Sequence, residues 1–270
     1  MRRPAAAFTM TVIAAALCAG CRDDPAPPER GDQLELLLFS GAGLQPPVEE
    51  LLSDFTAAEG VTVTVDYAGS EVLFSKIKVG ARGDLYLPGD RRYVDTAEDA
   101  GLVASRTSVC WFVPTILVQT GNPKAIRGLG DLLRPEVRLG LGDPRACAIG
   151  RISRELLQKN GVAWEAVKPS VRFQSVTVNE LAVHVRTGSL DAAIVWDAVA
   201  HQYAQHTDTI EIPTESNILS TVDLAVLKTS RHKELAQRFA DFVNSPHGRD
   251  ILRRHGYRVE APAEAAGGGR

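Results

Sequence analysis

The chain has 270 residues, of which 44% are hydrophobic and 23% charged, an ordinary composition for a globular protein. A formal charge of −3 offers no basic surface to nucleic acid. With the two ends set aside, about 230 residues remain, enough for one large domain or two lobes of about 100–120 residues each.

Arg2 and Arg3 open a positive segment, and an apolar run over residues 5–17 follows. This reads as a targeting signal; it is too short and too Ala-rich for a membrane span. It ends at Leu17-Cys18-Ala19-Gly20-Cys21, which resembles a bacterial lipobox, with Cys18 where Leu is usual. Residues 1–21 are therefore expected to be a lipoprotein signal, with Cys21 as the lipidated residue. Residues 22–32 (RDDPAPPERGD) are polar and Pro-rich and read as a tether. Residues 261–270, rich in Ala and Gly, read as a disordered tail. Cys110 and Cys147 remain, and in an oxidising compartment they either pair or stay free and buried.

From Leu34 the pattern is strand, small-residue loop, helix. Residues 34–39 (LELLLF) predict a strand, then comes Ser40-Gly41-Ala42-Gly43, and Pro46 and Pro47 open a helix that Gly60 closes. Residues 61–67 alternate as a strand, Ala68-Gly69-Ser70 follows, and Val72, Leu73, Ile77 and Val79 mark a helix. Residues 84–87 form another strand, and 91–100 a helix. Residues 111–119 (WFVPTILVQ) read as one strand interrupted by Pro114, hence an edge or a bend. Strands at 137–141, 192–195 and 221–227 alternate with helices at 151–159, 180–186, 197–205, 232–244 and 247–255. Such alternation predicts an α/β fold with parallel sheets, whose ligands sit where strand C-termini lead into helices.

Four loops offer backbone N–H groups at helix N-termini, where an anion binds without Lys or Arg: Ser40–Gly43, Gly69–Ser70, Ala146–Gly150 and Thr177–Asn179. Each alone is a turn or a cap. Cys147 lacks a histidine at any telling spacing, and no GxSxG elbow, P-loop or HExxH pattern occurs, so catalysis is not expected.

The stretches FSGAGLQPPVEELLSDFTAAEGVTVTVDYAGSEVLFSKIKVGARGDLYLPGD, LGLGDPRACAIGRISRELLQKNGVAWEAVKP, VTVNELAVHVRTGSLDAAIVWDAVA and FADFVNSPHGRDILRRHGYRV span nearly all of residues 34–259. Their order and spacing resemble the periplasmic molybdate-binding proteins of ABC importers. The resemblance implies a two-lobed type II periplasmic binding fold with two hinge-crossing strands. Lobe 1 would comprise residues 33–112 and 222–260, and lobe 2 residues 113–221. It also implies a monomer in the periplasm or at the cell surface, held to the membrane through its lipid alone. Its partner would be an ABC permease, and its cargo a tetrahedral oxyanion, molybdate or tungstate, with no cofactor and no direct protein ligand to the metal centre. Carried over by position, Ser70 falls on a binding serine, Ile149 and Val178 on backbone-amide positions, and Trp196 on a tyrosine position. Gly43 stands where the family has its other serine. Ser40, Cys147 and Asp197 are expected near the cleft. Phosphate, sulfate or a small organic anion is the alternative cargo, and presentation of ligand to a membrane sensor the alternative role.

Overall fold

A computed structural model describes residues 34–80 and 82–262. The expected signal, Cys21, the tether and residues 263–270 lie outside the described residues. Two five-stranded sheets, each flanked by helices, make two α/β lobes.

In the first sheet, β1 (Glu35–Gly41) lies between β2 (Thr62–Ala68) and β3 (Leu85–Leu87), all parallel. The connections are α1 (Gln45–Glu59) and α2 (Ser70–Lys78), and α3 (Arg91–Asp99) leads from β3 to β4 (Val103–Phe112). Late in the chain, β10 (Ser220–Leu227) inserts antiparallel between β3 and β4, completing the order β2-β1-β3-β10-β4. α8 (Lys233–Asn244) and α9 (Pro246–Arg254) pack against this lobe, with Phe239 of α8 edge-on to Phe55 of α1 at 5.1 Å. The α1 boundaries follow from its residues. Pro46 and Pro47 occupy the first turn, where no N–H is needed, and Gly60 ends the helix at φ +65°.

The second sheet has the order β7-β6-β8-β5-β9. Its strands are β5 (Pro114–Gln119), β6 (Leu139–Gly142), β7 (Val171–Ser175), β8 (Ala192–Trp196) and β9 (Thr207–Glu211). β6 runs parallel to β7 and β8, whereas β5 runs antiparallel to β8 and β9. α4 (Ala148–Lys159), α5 (Trp164–Val167), α6 (Val178–Arg186) and α7 (Asp197–Gln202) complete the lobe. Both sheets are therefore mixed, not parallel throughout as the alternation predicted.

The segment 111–119 is not one strand. It breaks at Val113: Phe112 ends β4 in the first sheet, and Pro114 begins β5 in the second. Nor is β5 at an edge, since β8 and β9 flank it; Pro is tolerated as the first residue of a strand, where no ladder donor is missed. The chain crosses between lobes here and returns between β9 and β10. Strands β7, β9 and most of β4 were not anticipated, although the five residues of β7 (VRFQS) alternate apolar and polar. Cys110 in β4 and Cys147 before α4 are both buried free thiols, which settles the open question of a disulfide.

Asp197 pins the crossing. Its Oδ1 accepts the N–H of Val113 at 3.0 Å and of Ala198 at 2.9 Å, while Oδ2 pairs with Arg258 Nε at 2.6 Å. Its own N–H donates to the Val113 carbonyl at 2.8 Å. Asp197→Ala strands the Val113 N–H, which costs about 1–3 kcal/mol and lowers the melting temperature by about 3–10 °C. An unchanged melting temperature in a thermal scan would contradict this role.

Candidate functional site

The loops that follow β1, β2 and β3 in one lobe face those that follow β6, β7 and β8 in the other. Between them lies a cavity of about 20 Å³. About 10–15 Å³ on this measure holds one water, so the space suits a species of only a few heavy atoms. Gly43, Ser70, Ile149, Val178 and Trp196 all line it, as does Cys147. Two expected neighbours lie elsewhere. Ser40 is fully buried within β1 and turns its hydroxyl to the Gly41 carbonyl at 3.4 Å. Asp197 is held at the lobe crossing by Val113 and Arg258.

The wall carries no Lys, Arg, His, Asp or Glu. Its polarity comes from helix N-termini: α1 through a 3-10 turn at Ala42–Leu44, then α2, α4 and α6. The residues preceding these four helices are Leu44, Gly69, Cys147 and Thr177, and none caps with its side chain. The first-turn N–H groups of Ser70, Ile149 and Val178 have no intrahelical acceptor, and among the described residues no other main-chain acceptor takes them. Uncapped starts occur at α5 and α8 too, so what distinguishes these four is their convergence on one cavity. Converging N–H dipoles give the cavity a positive potential without a formal charge.

Ser70 does not cap its own helix as a serine in that position often does. Its Oγ accepts the N–H of Gly89 at 3.0 Å, so one lone pair is committed and the hydroxyl proton remains to be donated. Trp196 stacks on Phe112 of the other lobe, ring centroids 4.9 Å apart and planes 7° from parallel. Its Cδ1, the carbon beside the indole N–H, faces Gly43. Cys147 is inert: burial pushes its thiol up to about 12, and the S–H donates weakly to the carbonyls of Asp143 at 3.7 Å and Ser175 at 3.6 Å. With no base on the wall, it is no nucleophile. Among the described residues, no group of three or more His, Cys, Asp or Glu could hold a metal ion.

Gly69 shows how closely the lobes meet. A Cβ there would lie 2.3 Å from the Ala146 carbonyl oxygen and 2.5 Å from that of Val176, both backbone atoms of the other lobe. Two residues on, the Glu71 N–H donates across the gap to the Ala146 carbonyl at 3.2 Å. Sequence reasoning missed Gly89 and Phe112. Gly89 follows β3 in the same strand-to-helix position as the other loops and was therefore findable. Phe112 was not, because its place depends on where the chain changes lobes.

Beside the cavity, Arg151 in the first turns of α4 reaches across to Asp90, the N-cap of α3, at 2.8 Å. It also lies over the Tyr93 ring at 5.9 Å and pairs with Glu155, which in turn meets Arg92 of the first lobe at 3.1 Å. Asp90 follows Gly89 directly, so this clamp borders the Ser70 contact. The Asp90 and Arg151 side chains are only 8% and 18% exposed, so the pair is weakly screened. Arg151→Met is expected to part the lobes. Small-angle scattering should then report a larger radius of gyration than wild type, and an equal radius from a folded variant would contradict the clamp.

The sequence profile of the bacterial extracellular solute-binding proteins matches residues 36–258. The molybdate-binding protein ModA of Mycobacterium tuberculosis is 28% identical over 235 residues, covering 86% of this chain and 87% of the relative. A sulfate-binding protein of Synechococcus elongatus is 23% identical, covering 96% and 82%. Among solved structures, the Azotobacter vinelandii periplasmic molybdate-binding protein superposes with a TM-score of 0.71 at 17% identity, covering 84% and 100%; it shows the same two-lobed type II fold. These relatives bind solutes and are not enzymes. With the profile matched across both lobes, the chain belongs to the bacterial extracellular solute-binding protein family, whose place is outside the cytoplasm.

Proposed function

We propose that the protein captures a small, fully ionised tetrahedral oxyanion, molybdate or tungstate, and delivers it to an ABC permease. The observation that carries this reading is the cavity of about 20 Å³ on which four helix N-termini converge with no ionisable side chain but a protonated thiol. Donors without cations neutralise a compact dianion; they hold an amino acid or sugar poorly, and the volume has no room for either. The similarity to ModA points to the same cargo.

In this reading Ser70 gives its hydroxyl proton to one oxygen, and the amides of Gly43, Ser70, Ile149 and Val178 serve the others. Trp196 supplies an indole N–H where the family has a tyrosine hydroxyl, keeping a donor and losing an acceptor. The missing hydroxyl at Gly43 removes one hydrogen bond, about 0.5–1.5 kcal/mol, or up to about tenfold in affinity. That is too little to abolish binding. A monohydrogen phosphate needs somewhere to place its proton, and no carboxylate lines the cavity. Sulfate is the second reading, favoured by the sulfate-binding relative, because it too is fully ionised near neutral pH. Residues 1–21 direct the chain out of the cytoplasm, and lipid on Cys21 tethers it beside the membrane.

Ligand binding raises the melting temperature by mass action. In a panel of micromolar molybdate, tungstate, sulfate and phosphate, the first two should shift the transition upward most, and phosphate least. No shift with any of them would sink the oxyanion reading. Ser70→Ala should weaken the best ligand about tenfold in isothermal titration; an unaltered affinity would remove Ser70 from the site.

A further inference from the structure

Gly43 looks like a lost ligand position, yet its surroundings give it a different task. A Cβ placed there would lie 2.8 Å from Val178 Cγ1, closer than real side-chain carbons approach. Val199 Cγ2 at 3.5 Å and Trp196 Cδ1 at 3.6 Å would complete the contact. Gly43 belongs to the lobe of the first sheet, and these three side chains to the other. The bare glycine is a socket, and Val178 is the knob that fills it.

Neither side of this contact yields easily. Behind Gly43, the hydroxyl of buried Tyr257 donates to its carbonyl oxygen, which fixes the loop. One residue earlier, the Ala42 carbonyl accepts Asn179 Nδ2 at 3.0 Å, tying the start of α6 to the same turn. Val178 opens α6, is 5% exposed and is β-branched, so its rotamer is restricted. The Gly69 contact with the Ala146 and Val176 carbonyls is backbone against backbone and offers no side chain to trim. Val178 on Gly43, by contrast, is a cross-lobe contact that a substitution can remove.

We propose that Val178 seated on Gly43 is the stop that ends lobe closure and so sets the size of anion the cavity accepts. The ligand half of this statement rests on the oxyanion reading; the steric half does not. A methyl added at position 43 props the lobes apart and pulls the α4 and α6 amides away from those of the first lobe. Trimming Val178 to Ala makes room for that methyl and leaves the Val178 N–H in place. A serine restored at 43 therefore weakens binding on its own, although it adds a hydroxyl.

The experiment compares wild type, Gly43→Ala, Val178→Ala and the double variant. Affinity is read by isothermal titration with whichever of molybdate, tungstate, sulfate and phosphate wild type holds best. Interlobe distance is read by pulsed electron resonance between labels at Ser53→Cys on α1 and Gln174→Cys on β7, with Cys18 and Cys21 changed to Ser. Buried Cys110 and Cys147 stay unlabelled. Gly43→Ala should lose about tenfold or more in affinity and lengthen the distance, and Val178→Ala in the same chain should recover both. A Gly43→Ala protein with wild-type affinity and distance overturns the proposal, as does a double variant no better than Gly43→Ala. If wild type binds none of the four anions, the oxyanion reading falls, and the distances alone decide the stop.

Discussion

The organising constraint is electrostatic. A site without Lys, Arg or His can still hold an anion if main-chain N–H groups are left unpaired, point inward and are kept from bulk water. Helix starts supply such groups, and a single start supplies too few. Gathering four requires two α/β lobes that present the C-terminal ends of their parallel strands to each other. β1 and β2 lead into α1 and α2 on one side, and β6 and β7 lead towards α4 and α6 on the other. The two sheets, the single-residue crossing at Val113 and the pinning of that crossing by Asp197 all serve this arrangement.

Bringing main chain against main chain leaves no space for side chains, and that explains where the sequence is small. Gly69 meets two carbonyls of the other lobe, and Gly43 meets Val178. Charge is placed beside the cavity rather than in it: Arg151 crosses to Asp90 over the ring of Tyr93, where it can bias closure without touching the ligand. Asp197, which directly follows the lining residue Trp196, is turned away and paired with Arg258, so it neither repels a dianion nor accepts a proton from one.

Much of this is legible in the sequence. The apolar run of β1, the paired prolines of α1 and the small loops at Gly43, Ser70, Ile149 and Val178 are local signals for a strand and for helix starts; that those four loops share one cavity was implied by the family resemblance alone. What was not legible is tertiary. Residues 103–110 and 207–211 form strands with mostly polar exposed positions, so burial patterning does not announce them. The segment 111–119 is continuous in sequence but divided between sheets, because neither apolar alternation nor Pro114 says which sheet a strand joins. The Arg151–Asp90 pair links positions 61 residues apart, and only the closed lobes bring them together. Ser40 was expected near the cleft because it lies close to Gly43 in the same small-residue loop, yet it belongs to β1 and its hydroxyl is buried against the Gly41 carbonyl.

The central claim is that amides, not cations, bind the ligand, and resonance assignment of the amides tests it most directly. In nitrogen-15 labelled protein titrated with molybdate, the amide protons of Gly43, Ser70, Ile149 and Val178 should show the largest downfield displacements of the chain. Displacements confined to surface arginines and lysines, with those four resonances still at their ligand-free positions, would contradict it.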